Sequence, residues 1–371
     1  MIRYKADWIL PIAGEPLRSS WGADDRGRIV ALGRSDDRGG ADAVDLGRTA
    51  VLPGLVNAHT HLELSYLRDA VKPATRFVDW IHQLMARRRE FPDPSASPIV
   101  QAATDGIREA PAAGTALVGD ISNTRVTMPL LVEGAMPGVL FYELLRFNEP
   151  DPVGRVQRAR HALEALPSAA DVRTTIAPHA PYSVAPLLFR AIRADLDRHP
   201  FERSTVHLSE SAEEVEFIRA GTGPWRDLLQ QLGTWSDGWK APGTTPVEYL
   251  SDAGFLDERV LVVHGVQCTP SDLARLAARG CTIVSCPRSN RHVGVGSPPL
   301  RAFYAARVPV AFGTDSLASV EDLNVFGELA EARRIAPEVP ARRLLESATL
   351  TRARALGWDG EFGSIEPGKR A

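Results

Sequence analysis

Two histidines one residue apart, His59 and His61, close the apolar run "VLPGLVNAHTH". Side chains alternate faces along a strand, so both imidazoles point to one side and can converge on one object. A metal ion is such an object. In a chain with nine histidines, an isolated pair at this spacing also arises by chance. Three further residues add weight: His207 in "VHLSE", His264 in "VLVVHG" and Asp315 in "FGTDS", each at the end of a separate apolar run. Imidazole nitrogens together with a carboxylate suit Zn²⁺ or a similar transition metal, and a catalytic site of this kind keeps one position open for water.

The elements that must position these residues are legible as eight short apolar runs from residue 50 onward: "LPGLVNAHTH", "TALVGDIS", "GVLFYELL", "VRTTIAPH", "STVHLSE", "RVLVVHG", "CTIVSCP" and "VPVAFGTD". Between them lie segments with helical periodicity, such as Pro270 to Gly280 and Ala185 to Arg198. Strands alternating with helices imply parallel βα units, and eight units close a TIM (β/α)8 barrel of the α/β class. His59, His61, Asp120, Glu143, His179, His207, His264 and Asp315 all fall at strand ends, where such barrels carry their active sites. Residues 1–50 read instead as short strands broken by Gly and Asp turns, a small β-rich unit outside the barrel. The expected division is a β-unit over 1–50, a metal-dependent hydrolase barrel over 51–357, and a segment over 358–371 returning to the β-unit. The Gly/Pro/Trp-rich stretch from Gly221 to Thr245 is read as a long connection after the fifth strand.

Composition excludes several classes. With 43 Lys plus Arg against 46 Asp plus Glu, the net charge is −3, and the one short basic run, Arg87-Arg88-Arg89, reads as a solvated helix face. No nucleic-acid partner is expected. No stretch approaches 18 uninterrupted apolar residues and the first residues lack a signal-peptide pattern, so neither membrane spanning nor secretion is expected. Three cysteines without a CxxC pair suit a reducing, cytoplasmic setting.

The motifs "PGLVNAHTHLELS", "APHAPYSV", "VHLSE", "VLVVHG", "CPRSN" and "FGTDS", in this order, resemble the amidohydrolase superfamily over roughly residues 48 to 370. More narrowly they resemble its aminohydrolases of heterocycles, a branch that holds nucleoside and nucleobase deaminases and triazine chlorohydrolases. The runs "HTHLELS" and "FVDWI" with "CPRSN" look most like aminodeoxyfutalosine deaminases and their relatives acting on adenosine-type nucleosides. The resemblance implies one divalent ion, zinc first with iron or manganese as alternatives, held by His59, His61, His207 and Asp315. It implies that His264 stands beside the metal's water. Binuclear members carry a bridging lysine on strand four, and "TTIAPHAPYS" has none, so the expectation is mononuclear.

Hydrolytic deamination then assigns further roles. A bound metal lowers the pKa of its water to about 7, so that a hydroxide can attack the amine-bearing ring carbon. Glu210, three residues after His207, is the expected proton donor to the ring, Asp315 the proton carrier to the leaving amine, and His264 the stabiliser of the developing oxyanion. His179, Trp80, Arg146, Ser289, Asn290 and His292 are the expected substrate contacts, with Trp225, Trp235 and Trp239 as further members of an aromatic lid. Plainer readings stand beside these: Glu210 opens an acidic helix start favoured by the dipole, and any one Trp can simply anchor a loop. His82, His161 and His199 are expected to be surface or core residues.

The expected substrate is a small amino-heterocycle, and a homodimer is a candidate assembly. Triazine dechlorination and ring opening of a cyclic amide, as in imidazolonepropionase, are alternatives using the same water. A non-catalytic binding barrel predicts a missing ligand or proton carrier, and none is missing. His61-Leu62-Glu63 also reads as the H-x-E of another zinc deaminase class, but no PCxxC follows.

Overall fold

The eight apolar runs form eight parallel strands because their residues are buried on both faces, the condition that gives near-continuous hydrophobic sequence. In the computed structural model, which describes residues 2–34 and 43–371, they are Leu55–Thr60, Thr115–Ser122, Gly138–Leu144, Val172–Pro178, Ser204–Leu208, Val260–His264, Thr282–Ser285 and Val310–Phe312. We number them one to eight. Strands one to four and five to eight form two four-stranded parallel sheets. These meet at both seams: the His207 N–H donates to the His179 carbonyl at 2.8 Å, and the Asp315 N–H to the His59 carbonyl at 3.0 Å. The result is a TIM barrel. Val56, Leu117, Phe141, Val263 and Val284 pack in one cluster with Trp358 and Phe362, which belong to the segment after the last helix.

Local signals set the surrounding helices. Pro270–Arg279 begins with a Thr269/Asp272 capping box and ends at Gly280 in the left-handed region. Pro186–Arg198 starts with Pro in its first turn, where a missing N–H costs nothing. The stretch from Gly221 to Thr245 is not the plain connection expected, since Pro224–Gln231 is helical. Its Gly and Pro signals mark the ends of a short helix.

Ahead of the barrel, Ile2–Ile9 pairs antiparallel with Leu17–Asp25, which pairs with Arg28–Arg34, while Ala43–Asp45 and Ala50–Val51 add in parallel to the first strand. The sequence pattern did not mark Leu17–Asp25, "LRSSWGADD", because its apolar residues do not alternate. Residue 1 and residues 35–42 of the expected 1–50 unit lie outside the described residues. The last residues come back to this sheet: the Ile29 N–H donates to the Lys369 carbonyl, Arg28 pairs with Glu361 at 2.7 Å, and Ile9, Ile29 and Ile365 share a small core. Among the described residues, no helix is long and apolar enough to cross a membrane.

Candidate active site

At the carboxyl ends of the strands the backbone takes conformations that L-residues avoid. Ser209, His264 and Asp315 have φ of 52°, 73° and 64°, each in the left-handed region that costs a non-glycine residue roughly 1–3 kcal/mol. His264 and Asp315 line one cavity and Ser209 directly precedes a third lining residue, Glu210, so placing side chains outweighs local comfort there. Strand one ends at Thr60, so His61 lies just beyond it, where φ of −121° and ψ of 80° begin the turn into the helical segment Leu62–Leu67. The two imidazoles converge, with His59 Nε2 3.2 Å from His61 Nε2.

Asp315 Oδ1 lies 3.8 Å from His59 Nε2 and 3.5 Å from His61 Nε2. Ligand atoms about 2.1 Å from a tetrahedral ion stand about 3.4 Å from one another, so these separations fit a shared cation. His207 lies with its ring centroid 4.9 Å from that of His59. Its Nδ1 faces the His179 carbonyl at 3.1 Å and Glu143 Oε1 at 3.4 Å. Those acceptors hold the proton on Nδ1 and leave Nε2 free to ligate, the usual partner arrangement of a metal-binding histidine. Burial, and then the neighbouring imidazoles, push the His59 pKa well below the ordinary value. Burial acts the same way on His61, and on His207, down to about 4. Neutral imidazoles are the form that binds metal. The donor set therefore fits one divalent ion.

Glu210 and His264 stand beside this cluster. Glu210 Oε1 is 3.5 Å from His264 Nε2, and burial, reinforced by the Asp315 carboxylate, raises the Glu210 pKa well above the ordinary carboxylate range. Burial lowers that of His264 to about 4. Asn290 meets His264 Nδ1 at 2.8 Å through Oδ1, while its own Nδ2 is buried without a partner. The two ends of an amide are interchangeable in shape. With Nδ2 turned to the ring, Asn290 donates to Nδ1 and the imidazole proton sits on Nε2, facing the cavity.

The cavity is lined by His61, His179, His207, Glu210, His264 and Asp315 on its polar side and by Leu64, Phe77, Trp80, Ile81, Leu84 and Val293 on its apolar side. Trp80 and His179 thus lie where expected, with His179 Nδ1 2.6 Å from Ser183 Oγ. Four expected substrate contacts do not line it. Arg146 is exposed and reaches Asn148 Oδ1 at 3.3 Å. Ser289 is buried behind Asp315, donating to its Oδ2 at 2.6 Å, and Asn290 is buried behind His264. His292 Nε2 turns to the Val71 carbonyl at 3.1 Å. Of the lid tryptophans only Trp80 lines the cavity. Trp225 stacks on Tyr182 at 3.8 Å, and Trp235 and Trp239 pack with Phe147 and Phe217 as anchors of their connection.

The amidohydrolase family model matches residues 50–371. The chain belongs to the amidohydrolase family. An aminodeoxyfutalosine deaminase of Deinococcus radiodurans is 35% identical over 321 residues, 83% of this chain and 73% of that one. A 5-methylthioadenosine/S-adenosylhomocysteine deaminase of Halobacterium salinarum is 31% identical over 365 residues, 94% of this chain and 77% of its own. Among solved structures, an adenosine deaminase from Xanthomonas campestris with bound zinc superimposes with a TM-score of 0.83 at 28% identity, covering 100% of this chain and 83% of that chain. Like its relatives, this amidohydrolase is a hydrolase of carbon–nitrogen bonds.

Two further residues of the amidohydrolase cavity had no assigned role in the sequence reading. Glu143, expected at the end of strand three but given no role, lines it and receives a hydrogen bond from Asn123 Nδ2 at 2.7 Å. Arg88, read as part of a solvated face, also lines it. The signal was present: Phe77, Trp80, Ile81, Leu84 and Arg88 recur at helical spacing along Phe77–Arg88, and all five line the cavity. Gly313 shows how closely His59 is held, since an added Cβ would come 2.6 Å from both Cβ and the carbonyl oxygen of His59. Gly313→Ala is expected to destabilise the protein by about 1–3 kcal/mol, read as a lower midpoint in thermal unfolding.

Proposed function

We propose that the protein hydrolyses the exocyclic amine of an adenine-type nucleoside, releasing ammonia. One observation carries this reading: a buried carboxyl, Glu210, whose pKa burial raises, stands 3.5 Å from His264 Nε2 in the same cavity as the His59/His61/Asp315 cluster. The relatives support the substrate class, since two are deaminases of adenine-bearing nucleosides by name.

His59, His61, His207 and Asp315 would hold one divalent ion, zinc in the first instance, which when bound makes water nucleophilic at neutral pH. The residues of the chain do the rest. The apolar wall of Leu64, Phe77 and Trp80 receives the flat ring and excludes bulk water. As water adds to the carbon that carries the amine, the Glu210 carboxyl gives its proton to the adjacent ring nitrogen, so no negative charge accumulates on the ring. The Asp315 carboxylate accepts the proton lost by the water and passes it to the departing amine. His264, held from behind by Asn290 at 2.8 Å, stabilises the new oxygen through Nε2 once the Asn290 amide is turned to donate to Nδ1. As the amine leaves, the added hydroxyl gives its proton back to the Glu210 carboxylate and becomes the carbonyl, so one amine and one water become one carbonyl and one ammonia with both carboxyl groups restored.

The test is ammonia release from adenosine, methylthioadenosine, S-adenosylhomocysteine, aminodeoxyfutalosine, guanine and cytosine by zinc-loaded protein. Release from the adenine nucleosides, with none from guanine or cytosine, is the expected result. Silence across the panel with metal bound would move the reaction to another amide or ring.

A further inference from the structure

We infer that Arg288 is a positioning residue for two groups of the site at once, Asp315 and His264, acting through the one short helix that carries the supports of both. The inference deepens the deaminase reading and rests on it for its rates alone.

The two supports are neighbours in the chain. Ser289 donates to Asp315 Oδ2 at 2.6 Å, and Asn290 meets His264 Nδ1 at 2.8 Å. Both belong to Pro287–His292, a helix of six residues. A helix this short does not hold itself in water and takes its place from whatever grips it. Its last residue is tied on both sides: His292 Nε2 faces the Val71 carbonyl at 3.1 Å, and the His292 carbonyl accepts from the Ala74 N–H at 3.1 Å. Its first turn is tied by Arg288.

The Arg288 N–H donates to Glu328 Oε2 at 3.1 Å. The guanidinium donates four further hydrogen bonds: Nε to Glu328 Oε1 at 2.5 Å, Nη1 to Asp322 Oδ1 at 2.7 Å, and Nη2 to the carbonyls of Asp322 and Asn324 at 3.0 and 3.1 Å. Glu328 is fully buried on the helix Val325–Ile335, and Asp322 and Asn324 lie in the connection leading from Asp315 to that helix. One planar group therefore locks the loop after strand seven to the loop after strand eight, and these are the loops whose residues meet at Ser289 and Asp315. A lysine, a single point of charge, cannot reach these acceptors together. Gly327 completes the seat, since an added Cβ would come 2.7 Å from Arg288 Nη1 and 2.8 Å from its Cζ. The fork thus lies against bare helix backbone. Arg288 does not line the catalytic cavity, so its influence reaches the reaction through the helix Pro287–His292.

The experiment compares Arg288→Lys and Gly327→Ala with the wild-type protein. The lysine keeps a cation beside buried Glu328 and loses the fork. The alanine keeps every charge, displaces the fork, and adds helix propensity, so its thermal midpoint should stay close to wild type. Zinc affinity, measured by chelator competition, is expected to fall about tenfold in both variants. The kcat for ammonia release should fall about tenfold as well, with KM within about twofold of wild type, because no substrate contact is touched. In long-range ¹H–¹⁵N spectra of the metal-free protein labelled at histidine, the His264 signals should move while those of His161, on the helix Pro152–Glu164, stay in place. A folded variant in which zinc affinity and the His264 signals both change upholds the inference. If neither variant changes both, whatever its midpoint, Arg288 is a structural ion pair and the inference is overturned. Both changes together with no ammonia from any nucleoside, even in the wild-type protein, uphold the positioning role and defeat the deaminase reading.

Discussion

Glu210→Gln is expected to lower kcat for deamination by about 10²–10⁴-fold while leaving the thermal midpoint and the bound metal close to wild type. Glutamine keeps the volume and one carbonyl oxygen but has no acidic proton to give the ring. The position is built to hold that proton. Burial of Glu210, with the Asp315 carboxylate nearby, favours the neutral carboxyl. Its backbone is fixed by a neighbour, since Glu214 accepts the N–H groups of Ser209 and Glu210 at 2.9 and 2.8 Å. Ser211 caps the helix Ala212–Ala220 that follows, accepting from the Glu214 N–H. The acids of that helix therefore divide their work: Glu214 holds the turn, and Glu210 is free to face the cavity. Glu214→Gln supplies the contrast, because weaker acceptors on a buried turn should lower the thermal midpoint as well as the rate. Ammonia release with unfolding curves for both variants separates the two roles. An equal loss of stability in Glu210→Gln would reduce Glu210 to a structural acid at a helix start.

The barrel was legible because burial on both faces writes an uninterrupted apolar run, and the polar residue at the end of each run is where such a sheet meets solvent. His59, His207, His264 and Asp315 could be read that way. Arg146, Ser289, Asn290 and His292 could not, because their distance along the chain from a strand end does not reveal which way the side chain turns. Ser289 and Asn290 sit one layer back, bonded to Asp315 and His264 rather than to the cavity. Glu63 and Asn123 were out of reach for a different reason. Their contact joins the turn after strand one to the loop after strand two, at 3.0 Å between partners about 60 residues apart in sequence, and no local pattern encodes such a meeting. Arg88 was misread because basic neighbours on a helix suggest solvent, whereas the helical spacing from Phe77 places it on the inner face.

Asp315→Asn carries the other large expectation, a loss of about 10³-fold or more in kcat/KM together with loss of metal on dialysis. Proton transfer alone accounts for about 10²–10⁴-fold, and here the same carboxylate also belongs to the ligand cluster, with Oδ1 within 3.8 Å of both His59 and His61. The amide removes the anionic ligand and the proton carrier in one step. Ser289→Ala touches only the support, deleting the 2.6 Å hydrogen bond to Oδ2. Loss of such an orienting partner costs roughly 10–100-fold in metal affinity or activity. Metal content by mass spectrometry, beside the rate with and without added zinc, distinguishes the roles of Asp315. Full metal with a lost rate would make it a proton carrier alone. Lost metal with a rate restored by excess zinc would make it a ligand alone. A rate that stays lost even when zinc is forced back is the outcome that one carboxylate serving both ends of the reaction requires.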